Sequence, residues 1–229
     1  EVIQKDYFTI DVDILHTTCF KEFIYALGTA AYDKIASRSD KMKRLFIATL
    51  RSLSASFGYD PIQNTPTFDI KLGDITTPDY TLREIFNFME QADKRCLVVI
   101  DEFQQITKYP EKNIEAVLRS YIQKMSNANF VFAGSQRTVL EEMFLSSRRP
   151  FFQSAKLMQL DAIELSVYQD FVVGHFREGG KDINPEAVEV AYRSFRGVTL
   201  YMQRVMKDAY ATTPQGATCD ERLVEQLID

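Results

Sequence analysis

The sequence predicts an α/β core followed by a small, wholly helical domain. Two observations carry this. Short β-branched, aromatic or apolar runs at 7–14, 96–100, 130–134 and 156–160 alternate with stretches of helical periodicity, the pattern of parallel strands joined by crossover helices. After Asp161 only helical spacing remains, which divides the chain into a core over 1–160 and a helical domain over 161–229.

Taken in order, Tyr7 to Ile14 is the first strand, with Phe8, Ile10 and Val12 alternating. Phe20, Phe23, Ile24, Leu27 and Ala31 recur at helical spacing and predict the first helix. A second helix is expected from about Ser39 to Phe57, with Met42, Leu45, Phe46, Leu50, Leu53 and Phe57 on one face. Lys41, Arg44 and Arg51 form a basic stripe on it, expected to be a solvated face. Residues 58–80, rich in Pro, Gly, Thr and Asp, predict an extended loop with at most a short strand near Phe68-Asp69-Ile70. Thr81 and Glu84 have the spacing of a capping box, so the next helix is expected to start there and to bury Leu82, Ile85, Phe86 and Met89.

Leu97-Val98-Val99-Ile100 is the central strand, apolar on both faces as in a buried parallel sheet. Beyond Pro110, the spacing of Ile114, Val117, Leu118, Tyr121, Ile122 and Met125 predicts a regular helix. Asn127-Ala128-Asn129 is expected to turn into the strand Phe130-Val131-Phe132-Ala133. Thr138 and Glu141 suggest a second capping box, Arg148-Arg149-Pro150 a loop, and Lys156 to Leu160 a last strand. In the helical domain, Ser166 with Gln169 and Thr218 with Glu221 are further capping boxes, and Phe171, Val172 and Phe176 are expected core residues. Gly179-Gly180 and Gly197 end helices, and Asn184-Pro185 begins one as N-cap and first-turn proline.

Composition excludes several classes. A net charge of -5 argues against a broad nucleic-acid surface. No apolar run approaches the eighteen or so residues that span a bilayer, so no membrane role is expected. Cys19, Cys96 and Cys219 are far apart and in no metal spacing, which fits reduced thiols in a cytoplasmic protein. His16 and His175 have no ligand-like neighbours and are expected to be structural or exposed.

The chemistry concentrates where the central strand ends, at Asp101-Glu102. Ligands of open α/β sheets bind beyond the carboxyl ends of the strands. An Asp followed by a Glu at that edge suits metal-nucleotide hydrolysis, with the first acid on Mg²⁺ and the second on the attacking water. From Leu97 to Glu102 alone an ordinary turn, with Asp101 as its cap, is an equal alternative. The next predicted strand also ends in polar groups, at Gly134-Ser135-Gln136-Arg137.

The strand closing in Ile100-Asp101-Glu102-Phe103, the strand closing in Ala133-Gly134-Ser135, the short helix, the Arg-Pro-aromatic loop and the helical domain together resemble the AAA+-related P-loop ATPases. The likeness is to the archaeal-type ATPase group, allied with the STAND NTPases and common in prokaryotes. It implies a P-loop NTPase core of the ASCE type that lacks its first strand, followed by a helical lid. It implies ATP and Mg²⁺ as cofactors, with Asp101 holding the metal through water and Glu102 activating the attacking water. Ser135 or Gln136 would sense the γ-phosphate. Arg148 and Arg149, and less directly Arg137, would complete a neighbour's site and so imply an oligomer. Relatives often carry a downstream winged helix, which would bring DNA as a partner. Two positions depart from the family: Pro150-Phe151-Phe152-Gln153-Ser154 stands where Pro-Leu-Tyr-Gly-Arg is common, and Gly197-Val198-Thr199 where Gly-x-Pro is.

The phosphate-cradling motif GxxxxGK[ST] does not occur in these 229 residues. In the family it follows a strand that lies between those matching 130–134 and 156–160. Three explanations are a fragment of a longer ATPase, proteolytic loss of an upstream part, and a degenerate relative that no longer binds nucleotide. The abrupt start one strand into the fold favours a fragment. Two further readings are kept: a nucleotide-independent interaction module with another protein as partner, and a DNA-associated regulator.

Overall fold

Apolar alternation closes one face of the sheet: Ile10 and Val12 of the first strand, and Cys96, Val98 and Ile100 of the central one, are buried. The computed structural model describes residues 6–60, 65–68 and 71–228, with side chains for all of these except 54–60 and 65–68. The chain falls into two units, Glu1–Leu157 and Met158–Asp229.

In the first unit the elements are β1 (Tyr7–Asp13), α1 (Phe20–Lys34), α2 (Asp40–Thr49), β2 (Phe57–Asp60), β3 (Thr65–Phe68), α3 (Pro78–Glu90), β4 (Arg95–Asp101), α4 (Ile114–Ile122), β5 (Ala128–Phe132) and α5 (Arg137–Leu145). The second unit holds α6 (Leu165–Glu178), β6 (Asp182–Ile183), α7 (Pro185–Ser194), α8 (Thr199–Thr212), β7 (Thr218–Cys219) and α9 (Glu221–Ile228). The main sheet has the order β1-β4-β5, and both pairings are parallel. Tyr7 pairs with Arg95 and Asp13 with Asp101, so β1 and β4 end level. Cys96 pairs with Ala128 and Ile100 with Phe132. Leu97 and Val99, expected to be as buried as their neighbours, are only half-buried.

The core of the first unit is rich in phenylalanine. Phe46 meets Phe88 edge-on at 4.9 Å. Phe103, which follows the two acids directly, lies 4.4 Å from Phe132 and 5.3 Å from Phe151 between ring centroids. Phe103 and Phe151 are fully buried. The sequence departure at Pro150-Phe151 thus supplies a core residue.

Several local expectations are corrected. The helix expected over 39–57 stops at Thr49: Leu50 leaves helical geometry at φ -90°, ψ 64°, and a 3₁₀ stretch, Arg51–Ser56, follows. Ser39 does cap α2, its hydroxyl accepting from the Met42 N–H at 3.2 Å. The stretch expected as a loop contains the antiparallel hairpin β2–β3, while Asp69 and Ile70 lie outside the described residues. Helix α4 ends at Ile122, short of Met125. Ala128 and Asn129 belong to β5 rather than to a turn, and Asn127 locks the entry by donating from its side-chain amide to the carbonyls of Met89, Ala92 and Lys94.

None of the four capping boxes marks a helix start. Helix α3 begins at Pro78 behind Thr77, α5 at Arg137 behind Gln136, and α6 at Leu165 behind Glu164. At α9 the cap is Asp220, which accepts the Leu223 N–H at 3.1 Å. In the first three the motif lies one to three residues inside the true start, where acidic residues are favoured anyway, and at α9 its Thr218 lies in β7, ahead of the cap. Glu84 has another task. Buried at 5% exposure, it accepts the N–H groups of Arg51 at 3.2 Å and Ser52 at 3.0 Å, and so caps the 3₁₀ stretch.

Residues 156–160, expected as a strand, form none, and Met158 and Leu160 are 81% and 92% exposed. A parallel strand needs a neighbouring strand for its backbone groups, and none of the sheets formed by the described residues includes this segment. The second unit is not wholly helical, because β6 and β7 form a short parallel pair. Val172 and Phe176 are buried as expected, but Phe171 is 54% exposed. Asn184 and Pro185 start α7 as N-cap and first-turn proline. The three thiols are free, and burial pushes that of Cys96 up to about 12.

Two stability predictions follow from the carboxylates that close element ends. Glu84→Ala removes the acceptor of two backbone N–H groups and of the Ser52 hydroxyl in a part-buried setting and should cost about 2 kcal/mol or more in denaturant unfolding. Glu90 accepts from the Ser126 hydroxyl and from the N–H groups of Ser126 and Asn127, which holds its carboxyl below its ordinary 4.5. A lowered folded value adds stability above the ordinary range that is lost as pH falls through it. Unfolding curves between about pH 5 and pH 3 should therefore be flatter for Glu90→Gln than for the wild type.

Candidate active site

The backbone builds the site before any side chain contributes. β4 ends at Asp101, and Glu102 turns the chain in a left-handed conformation, φ 55° and ψ 38°. That costs a residue with a Cβ roughly 1–2 kcal/mol. It is held on both sides. The Ala133 N–H donates to the Ile100 carbonyl at 2.9 Å, and the Phe103 N–H donates to the Ala133 carbonyl at 2.9 Å. The pairing of β4 with the β5 chain thus continues past the acids and sets Gly134-Ser135 beside Glu102. The buried Phe103 ring anchors the far side of the turn.

Glu102 is half-buried, and one of its oxygens, Oε2, receives two donors. The Ser135 hydroxyl donates at 3.0 Å, and Nε2 of Gln104 donates a short hydrogen bond. Asp101 is exposed, and its Oδ1 accepts the Glu102 N–H at 2.9 Å. Its register partner is Asp13, also exposed, whose Oδ1 accepts the Leu15 N–H at 2.8 Å. Two carboxylates therefore leave adjacent strand ends, an arrangement that repels itself unless a cation lies nearby. Among the described residues no group of three or more His, Cys, Asp or Glu side chains is arranged to hold a metal by itself. Asp101, exposed and holding the Glu102 N–H with Oδ1 alone, fits a water-mediated contact with a hydrated ion such as Mg²⁺.

Of the residues singled out from sequence, Asp101, Glu102 and Ser135 come together. Gln136 is exposed at the N-cap of α5, and its side chain does not cap that helix. Arg148 is exposed. Arg149 is tied down: it pairs with Glu115 at 2.6 Å and with Glu142 at 3.7 Å. Burial raises the Glu115 carboxyl, Arg149 opposes that shift, and Glu142 adds to it. Arg137 pairs with Glu141 along α5 at 2.8 Å. Of the basic stripe, Lys41 is 74% exposed and approaches Asp93 at 3.9 Å, a solvated face as expected.

Sequence reasoning missed Gln104 and Asp13. Asp13 was legible as an acid closing a predicted strand. Gln104 was not, because a glutamine two residues past an acid has no pattern of its own. It is 1% exposed, and its Oε1 is buried without a partner, at a cost of about 1–3 kcal/mol. Reversing the amide would set its oxygen against the Glu102 carboxylate, so the acid fixes its orientation.

Around this edge the loops are cross-tied. The Thr17 and Tyr109 hydroxyls lie 2.5 Å apart, and burial pushes the Tyr109 phenol up to about 12. Gln105 donates to the Thr17 carbonyl at 2.9 Å, and Glu111 accepts the Phe20 N–H at the start of α1.

A Cβ at Gly134 would lie 2.0 Å from Oε1 of Gln104 and 3.0 Å from Cδ1 of Leu140. Gly134→Ala should therefore push the buried amide away from Glu102 and lower unfolding stability by about 1–3 kcal/mol. An unchanged denaturation midpoint would show that Gln104 has room to move.

No protein-family model matches the chain, and no curated protein does. Among solved structures, the chain is similar to a Walker-type ATPase of Pyrococcus abyssi, with a TM-score of 0.60 and 14% identity over 96% of this chain. It spans 59% of the length of that protein. At this identity the likeness is one of fold: a mixed α/β architecture with a parallel sheet, of the P-loop ATPase-like kind.

Proposed function

We propose that the chain is part of an AAA+-like ATPase module, of the archaeal-type and STAND kind, that hydrolyses Mg-ATP at the carboxyl edge of β4 to drive a switch or an assembly. The observation that carries this reading is the Glu102 carboxylate, presented beside Asp101 with one oxygen held by two donors, in a fold similar to that of a Walker-type ATPase. In this reading the phosphate-binding loop comes from chain outside these 229 residues. Bound Mg²⁺ would offset the charge of the phosphates, and Asp101 would hold it through water. Glu102 would take the proton of the attacking water on Oε1, the oxygen not held by Ser135 and Gln104. Ser135 has a single O–H to give, so it donates either to Glu102 or to a γ-phosphate, which suits a sensor. Gln136, exposed at the start of α5, is the alternative sensor.

An arginine acting on a neighbouring subunit would be Arg148 in this proposal, since Arg149 would first have to leave Glu115. The second unit would serve as the lid. No described helix is long and apolar enough to cross a membrane, and the proposed setting is the cytoplasm.

Glu102→Gln in the full-length protein is the direct test. Mg-ATP binding should stay within a few-fold of wild type, while turnover should fall by about 100-fold or more. Turnover close to wild type would remove Glu102 from the chemistry.

A further inference from the structure

We infer that Gln104 is the permanent positioning residue of Glu102, and that Ser135 is its exchangeable one. The inference rests on the ATPase reading above. Both residues donate to the same oxygen, Oε2, but from different surroundings. Ser135 is exposed, and its hydroxyl is free to rotate toward another acceptor. Gln104 is 1% exposed and packed so closely that its Oε1 occupies the space a side chain at 134 would need.

The consequence is a division of labour. When the Ser135 hydroxyl turns to a phosphate, Glu102 loses one donor and keeps the other. Oε2 stays pinned, and Oε1 keeps facing the water whose proton it takes. Gln104 touches neither nucleotide nor water and acts only through Glu102. Packing alone does not account for a glutamine here. A methionine or leucine would fill nearly the same volume and leave no orphaned carbonyl.

The test uses the full-length protein and Gln104→Met, which keeps the volume and removes both the donor and the orphan. The denaturation midpoint should be equal or higher, and KM for Mg-ATP should be nearly unchanged. The turnover number should fall about 10- to 100-fold, the effect of a misplaced reacting group. In a Glu102→Gln background the same change should have no further effect on turnover. Gln104→Leu repeats the comparison with a second shape. Unaltered turnover in a stable Gln104→Met protein overturns the inference, and so does an equal loss in both backgrounds. Collapse of the fold in both apolar variants overturns it too, because it would assign Gln104 to packing. A wild type that does not hydrolyse Mg-ATP refutes the ATPase reading itself, whereas an active wild type indifferent to Gln104→Met refutes this inference alone.

Discussion

β4 is hydrogen-bonded on both sides, and the geometry of the carboxyl edge depends on that. The pairing with β1 sets Asp13 level with Asp101. The pairing with β5 does more, because it runs on through Ala133 and Phe103 after both strands have formally ended. A glutamate in left-handed conformation is normally disfavoured. Here the flanking backbone bonds and the buried Phe103 ring leave it no other course. The strain and the orphaned Gln104 oxygen fall within two residues of each other, at the strand ends that carry Asp13, Asp101 and Glu102. Such local costs concentrate at functional sites, where the surrounding structure holds them in place.

Electrostatics separates the two arginines that sequence treats alike. Arg149 sits between Glu115 and Glu142 and is partly shielded, with its Nε buried and unpartnered. Removing it would leave Glu115, already raised by burial, without its opposing charge. Arg149 thus reads as part of the first unit's own framework. Arg148, one residue away, faces solvent. Neighbouring charges of the same type divide between structure and surface according to what the turn before Pro150 presents to α4 and α5.

Strands were legible where alternation met a partner. The runs at 7–14, 96–100 and 130–134 pair within one residue or two of their expected limits. The run at 156–160, Lys-Leu-Met-Gln-Leu, has no β-branched or aromatic residue and forms no strand, and apolar residues alone do not say whether a neighbouring strand exists to pair with. The helix expected through Leu53 and Phe57 failed for a related reason. Leu50 and Leu53 are buried as the periodicity requires, but a break at Leu50 followed by a 3₁₀ stretch buries them as well as an α-helix would. Three of the capping motifs erred because acidic residues are favoured throughout a first turn, and the fourth because Thr218 belongs to β7. At the site, Asp101, Glu102 and Ser135 were readable from strand ends. Gln104 was invisible, since its role depends on which way a buried amide points. That follows from the Glu102 charge and the bare backbone at Gly134, and neither is a local sequence property.

In the proposed function this edge faces the terminal phosphate of a nucleotide. The most direct measurement is a structure of the full-length protein with Mg²⁺ and a non-hydrolysable ATP analogue. The expected result is the γ-phosphate beyond the end of β4, a hydrated Mg²⁺ contacting Asp101 through water, and a water on Oε1 of Glu102 while Gln104 still holds Oε2. A nucleotide bound elsewhere, or an edge that stays unchanged and empty at saturating Mg-ATP, would contradict it.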